Sequence, residues 1–198
     1  MARGCIGPGV AMLGQNARPP IHPPAMTDPV FAFSPIAHVR SPYAHRIDAP
    51  HQPTVVAGTR SGQVEAGCIE FVPGIPDEAF GDLDGFDRIW LVFAFHRSEG
   101  WTPRVRPPRG SGRRGVLATR APHRPNPIGL SCVQLDAIDG RVLHVRGLDL
   151  LDGTPVLDIK PYVPYADAFP EARAGWIDAI DLSQGVQSAP GPRRPRQS

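Results

Sequence analysis

Residues 86–96, FDRIWLVFAFH, carry seven consecutive apolar or aromatic side chains that end beside a histidine and an arginine. Asp84-Gly85 precedes the run, and a segment with prolines at 103, 107 and 108 follows it. So apolar a run predicts a strand covered on both faces. It is far short of the roughly 18 apolar residues of a membrane-spanning helix, and no other stretch of the chain reaches that length. The other periodic segments are also short. Residues 63–72, 115–119, 130–138 and 155–160 read as strands. Residues 31–39 read as an edge or bulged strand, because Pro35 cannot donate to a ladder. Asp139-Gly140 reads as a tight turn joining 130–138 to a hairpin partner at 141–148. Residues 76–83 hold one helical turn, residues 42–62 read as a loop, and a single helix fits 170–182, with Phe169, Trp176, Ile177 and Ile180 close to one face. Six or more closely spaced strands without a βαβ period predict an all-β fold: a small antiparallel β-barrel of six to eight strands with a C-terminal helix.

Proline and glycine set the expected boundaries. Residues 1–29 hold six prolines and four glycines, and residues 185–198 hold three prolines, two glycines and three arginines. Segments of this composition lack the apolar side chains to bury. The expected organisation is a disordered tail over 1–29, within which Met26 is a candidate start, a barrel over 30–168, a helix over 169–183 and a disordered basic tail over 184–198. Three scattered cysteines, Cys5, Cys68 and Cys132, exclude a disulfide scaffold, and the last two read as buried thiols within apolar runs. Without a signal peptide pattern, the expected location is cytoplasmic.

The net charge of +2 excludes little, but its distribution is uneven. Twenty of the 21 basic side chains are arginines, and the one lysine is Lys160. Residues 97–124 hold eight arginines against one acid, Glu99, whereas 125–182 hold nine acids against four basic residues. A cationic block inside an acidic body attracts polyanions, although a solvated loop has the same composition. No GxGxxG follows a strand, and no GxxxxGK[ST], HExxH, GxSxG or Cys/His cluster is present, which argues against Rossmann-type cofactor binding, P-loop chemistry, a serine hydrolase and a metal site.

Three clusters are chemically dense. Phe95, His96 and Arg97 close the apolar strand. Residues 119–129, TRAPHRPNPIG, alternate prolines with polar side chains, so Arg124 and Asn126 are held with little backbone freedom. Residues 152–162, DGTPVLDIKPY, place Asp158 and Lys160 on one strand face at i, i+2. Each also has a structural explanation, as a connecting loop, a turn or a surface ion pair.

Taken together, residues 35–37 (PIA), 85–96 (GFDRIWLVFAFH), 118–120 (ATR), 124–131 (RPNPIGLS), 149–155 (DLLDGTP) and 158–162 (DIKPY) resemble the TsaA-like family of tRNA (adenine(37)-N6)-methyltransferases. The resemblance covers about residues 31–168. It implies a homodimeric, S-adenosylmethionine (SAM)-dependent enzyme built on a small β-barrel. Such an enzyme methylates N6 of threonylcarbamoyl-adenosine 37 in the anticodon stem-loop of tRNA. By the same resemblance, SAM contacts fall on Pro50, His51, Gln52, His96, Arg97, Arg120, Leu130, Leu150, Leu151, Asp152 and Gly153. His51 departs from the family pattern, standing where the bacterial run has arginine. An arginine fork, from Arg120 or Arg97, suits the SAM carboxylate, and Asp152 suits its ammonium or ribose hydroxyls. Asp158, Lys160 and Tyr162, with Arg124 and Asn126, are the candidates for orienting the substrate base and managing its proton. Arg104, Arg106, Arg109, Arg113 and Arg114 are candidates for tRNA phosphate contacts. A SAM-binding sensor and a methyltransferase for a different substrate are the alternatives on the same barrel.

Overall fold

The computed structural model describes residues 31–45, 66–108 and 110–183, with the side chains of 181–183 excepted. The expected tails at 1–29 and 184–198, most of the loop at 42–62, the start of the strand at 63, and Pro50, His51, Gln52 and Arg109 lie outside the described residues. Residues Met1–Ala32 form a unit separate from Phe33–Ser198, and the description concerns the second.

Six strands close into an antiparallel barrel. They are β1 (Ala37–Arg40), β2 (Ala66–Phe71), β3 (Arg88–Ala94), β6 (Ile128–Asp139), β7 (Val142–Arg146) and β8 (Pro155–Pro161), in the order β1-β2-β7-β6-β3-β8. Two more strands, β4 (Arg104–Val105) and β5 (Arg114–Gly115), form a separate ribbon. The barrel fill follows from period-2 alternation: Val39, Ile69, Ile89, Leu91, Phe93, Val133, Leu143, Val145 and Val156 point inward and are buried. Each such side chain contributes about 1.5–3 kcal/mol when taken from water. On β3 the intervening Trp90, Val92 and Ala94 are only half-buried. The run predicted to be covered on both faces is therefore covered fully on one. Its apolar outer residues are the first sign that the outer wall is more than a solvated surface.

The two barrel ends differ. At one, a 3-10 turn (Asp77–Phe80) stacks Phe80 on Phe71 with ring centroids 4.2 Å apart, and Arg141 holds the plug through Asp77 and the Phe80 ring. The other end gathers the C-termini of β1, β3 and β7 and the N-termini of β2, β6 and β8. There the short β1–β8 seam is extended by Val39 N–H donating to the Thr154 carbonyl (2.9 Å) and Gly153 N–H donating to the Val39 carbonyl (2.8 Å).

Several local expectations change. Residues 115–119 are not a strand: β5 ends at Gly115, and Val116–Ala118 make a 3-10 turn. The first strand begins only after Pro35, at Ala37. The terminal helix α2 spans Trp176–Ser183, with Gly175 at φ +65 before it, so Phe169 lies outside it and is exposed. A four-residue helix, α1 (Pro164–Asp167), stands where none was expected. Cys68 and Cys132 are half-buried rather than buried, because their register points them outward; Cys68 Sγ sits 3.5 Å from His144 Nδ1.

Candidate functional site at the barrel mouth

The mouth is built where residues 148–154 cross the chain leaving β1. Asp152 N–H donates to the Tyr43 carbonyl (2.9 Å), Ser41 N–H to Asp152 Oδ1 (3.2 Å) and Ser41 Oγ to the Leu150 carbonyl (2.6 Å). Gly153 takes φ +73, which an L side chain resists, and this turns the chain into β8. Arg97, just past β3, reaches the same segment through Nη1 to the Ala44 carbonyl (2.7 Å). Four candidate residues, Leu150, Leu151, Asp152 and Gly153, thus sit on one braced turn, with Arg97 tied to the segment after β1 that braces it. Leu150 is buried in the core and Leu151 is half-buried. His96 precedes Arg97 just past the end of β3. Desolvation, then the Arg97 charge, pull its imidazole below the ordinary histidine range.

One mouth residue was not anticipated. Asp149 is largely desolvated and accepts a hydrogen bond from the buried Ser131 hydroxyl (2.8 Å). Burial pushes its carboxyl up to about 6, against the opposing effects of that hydrogen bond and of the nearby Arg120 guanidinium. Ser131 and Gly129 are inward positions of β6 at this end, and both are small. A Cβ at Gly129 would collide with the Phe93 ring and lie 2.9 Å from Phe95. The small residues therefore let the aromatic pair and the carboxyl share the mouth. The sequence signal was the break from large apolar to small or polar residues on the inward face of β6. Its partner 18 residues away becomes visible only once β6 and β7 pair.

The proline segment forms the rim. Phe95 N–H donates to the Pro127 carbonyl (2.7 Å), Ile128 N–H to the Asn126 carbonyl (2.7 Å), and Arg124 Nη1 to the Thr119 carbonyl (3.3 Å). Arg120 is exposed at its edge.

The remaining candidates lie elsewhere on the barrel. Asp158, Lys160 and Leu130 belong to its outer wall: register places Asp158 beside Val92 beside Leu130, and Lys160 beside Trp90. Lys160 Nζ pairs with Asp158 Oδ2 at 2.7 Å in an exposed ion pair, and the Tyr162 ring stands 5.8 Å from the Trp90 ring. The i, i+2 reading of Asp158 and Lys160 holds, but the bonds that build the mouth do not include them. Leu130 and Ile128 are 51% and 42% exposed on this wall, so Leu130 is an outer apolar residue rather than a mouth residue. Among its described residues, the arginine block carries the β4–β5 ribbon rather than a loop alone. Arg104 and Arg113 cross-bond to each other's carbonyls on the β4–β5 ribbon, Arg114 lies over the Trp176 ring, and Arg106 follows the ribbon.

The mouth offers guanidinium groups, carboxyl groups and apolar wall. That donor set fits a small zwitterionic ligand with an apolar or aromatic portion. Among the described residues no group of three or more potential ligands is placed to hold a metal ion, and no helix is long and apolar enough to cross a membrane.

Comparison with known proteins adds an independent finding. The profile of a family described as "tRNA-methyltransferase O N-terminal domain" matches residues 38–168. A "tRNA (adenine(37)-N6)-methyltransferase" of Escherichia coli is 43% identical over 162 residues, covering 78% of this chain and 67% of that protein. Another of the same description, from Eikenella corrodens, is 54% identical over 128 residues, covering 55% of this chain and 70% of the relative. The crystal structure of TrmO from Pseudomonas aeruginosa superposes with a TM-score of 0.62 at 41% identity, covering 76% of this chain and 64% of that one. The chain thus spans just under two thirds of that solved structure.

Proposed function

The chain belongs to the tRNA-methyltransferase O N-terminal domain family, and from that premise we propose that it is a SAM-dependent methyltransferase acting on N6 of threonylcarbamoyl-adenosine 37 in tRNA. The observation that carries the reading is the braced mouth: the 150–153 turn bonded to residues 39–44, with Arg97, Arg120, Asp149 and Asp152 around it. SAM supplies a methyl group made electrophilic by the sulfonium. Arg120 or Arg97 would hold its carboxylate through a planar fork, Asp152 would accept from its ammonium or ribose hydroxyls, and backbone near Leu150 would read the adenine edge. The protein's remaining task is alignment of the acceptor nitrogen with the methyl group. Asp158, Lys160 and Tyr162 are assigned to orienting the substrate and managing its proton, with Arg124 and Asn126 on the rigid rim addressing the anticodon-loop base or its carboxylate-bearing adduct. The arginine block takes the phosphates of the anticodon stem-loop.

The reading includes a homodimer. Its support is the outer wall, where Ile128 and Leu130 are exposed beside the half-buried Val92 and Ala94. Apolar side chains clustered on an outer sheet face favour a covering partner.

Calorimetry tests the cofactor assignment. Arg120→Ala should weaken SAM binding roughly 30-fold or more, as removal of one partner of a charge-assisted contact costs about 2–5 kcal/mol. Wild-type affinity in Arg120→Ala and Arg97→Ala alike would contradict it.

A further inference from the structure

A ribbon of two residues per strand does not hold its shape alone. Yet β4–β5 carries the densest positive charge of the described chain. Within the ribbon, Arg104 Nη2 donates to the Arg113 carbonyl and Arg113 Nη2 to the Arg104 carbonyl, both at 2.8 Å, and Val116 N–H donates to the Pro103 carbonyl at 3.0 Å. Thr102 Oγ1 also donates to the Arg104 carbonyl at 3.0 Å, and α2 adds support at three points. The Arg114 guanidinium lies 5.4 Å from the Trp176 ring centroid. Trp176 Nε1–H donates to the Ala118 carbonyl at 2.9 Å, just beyond β5. Gly110, in the loop between the strands at φ +78, packs so closely that a Cβ there would stand 2.5 Å from Ile180 Cδ1.

The crossed arginines are exposed, and among the described residues neither pairs with a carboxylate. Each spends one N–H on a carbonyl and keeps four. Two like charges tied to one ribbon, with donors left over and no paired acid, make a fork for an anion that bridges both. Only a fixed ribbon keeps them in that arrangement.

We infer that α2 is a brace: Trp176 and Ile180 lock the β4–β5 ribbon so that Arg104 and Arg113 form a preordered clamp for RNA phosphates. The inference rests on the tRNA reading above and assigns its phosphate contacts to a particular pair, with α2 as the positioning element. Arg114, covered by the Trp176 ring, then serves the brace more than the RNA.

The test uses the full chain and bulk tRNA in a binding titration at about 50 and 200 mM salt. Trp176→Ala should weaken tRNA binding roughly tenfold, since long side chains no longer held in place must be ordered on binding. It should leave SAM affinity unchanged, which also reports that the barrel is intact. Trp176→Phe keeps a ring under Arg114 and should recover most of the loss. Ile180→Ala, which removes the Gly110 contact, should show a smaller loss of the same kind. Arg104→Gln with Arg113→Gln should reduce the log–log salt slope by about 2, and adding Trp176→Ala to that pair should have little further effect. Wild-type tRNA affinity and salt slope in Trp176→Ala, with SAM binding intact, would overturn the brace. A wild-type chain that fails to bind tRNA even at low salt would overturn the tRNA reading itself.

Discussion

Asp149→Asn isolates the most unusual charge in the molecule. Desolvation pushes the Asp149 carboxyl up to about 6 from 3.8. A native-state pKa above the unfolded value means that the native state binds the proton more tightly. Between about pH 4 and 6 stability therefore falls as pH rises, and above about 6 the full penalty is present. Two pKa units correspond to about 3 kcal/mol. An asparagine keeps the Oδ1 acceptor for Ser131 and removes the charge. It should stabilise the protein by about 3 kcal/mol near pH 7.5, a gain that shrinks toward zero near pH 4. In urea unfolding the midpoint at neutral pH should rise by about 1–3 M. Such a cost is kept where a carboxylate has work to do, so the stabilised variant should bind SAM more weakly through the loss of the charge facing Arg120. Equal stabilisation at pH 7.5 and pH 4.5, or destabilisation at pH 7.5, would refute the burial argument.

Gly129→Ala should destabilise the barrel by about 1–3 kcal/mol, because its Cβ enters the Phe93 ring; thermal unfolding reads this directly. Lys160→Ala should lower the methyl-transfer rate at saturating tRNA while leaving SAM affinity intact, and a single-turnover assay separates the two. Sedimentation at micromolar concentration with SAM should give a dimer, and Leu130→Glu, which places a charge on the exposed wall, should shift it to monomer.

The barrel was legible because its strands obey period 2. Short periodic segments marked the strands, though the unbroken apolar run of β3 did not say which face turns inward, and the turn after Asp139 was marked by Gly140, which takes φ +54. What local pattern does not encode was missed. The β4–β5 ribbon has two residues per strand, set among arginines and prolines that carry no hydrophobic alternation, and its shape comes from α2. The helix boundary moved because Gly175 adopts a positive φ that stops helix propagation from residue 170. Asp149 looked like one acid in a turn motif; its burial and its Ser131 partner arise only when two strands close. The i, i+2 pair Asp158 and Lys160 was read correctly as sharing a face, but which face, outer wall or mouth, depends on a register shift in the β3–β8 pairing between Val92 and Phe93.

Methyl transfer to adenosine 37 is read out by nucleoside mass spectrometry. Bulk tRNA carrying threonylcarbamoyl-adenosine but lacking its N6-methyl mark is incubated with the protein and SAM, digested and analysed. Threonylcarbamoyl-adenosine should be converted to a species one methyl group heavier, and Arg120→Ala should abolish the conversion. A protein that binds SAM and leaves every tRNA nucleoside unchanged would contradict methyl transfer to this base.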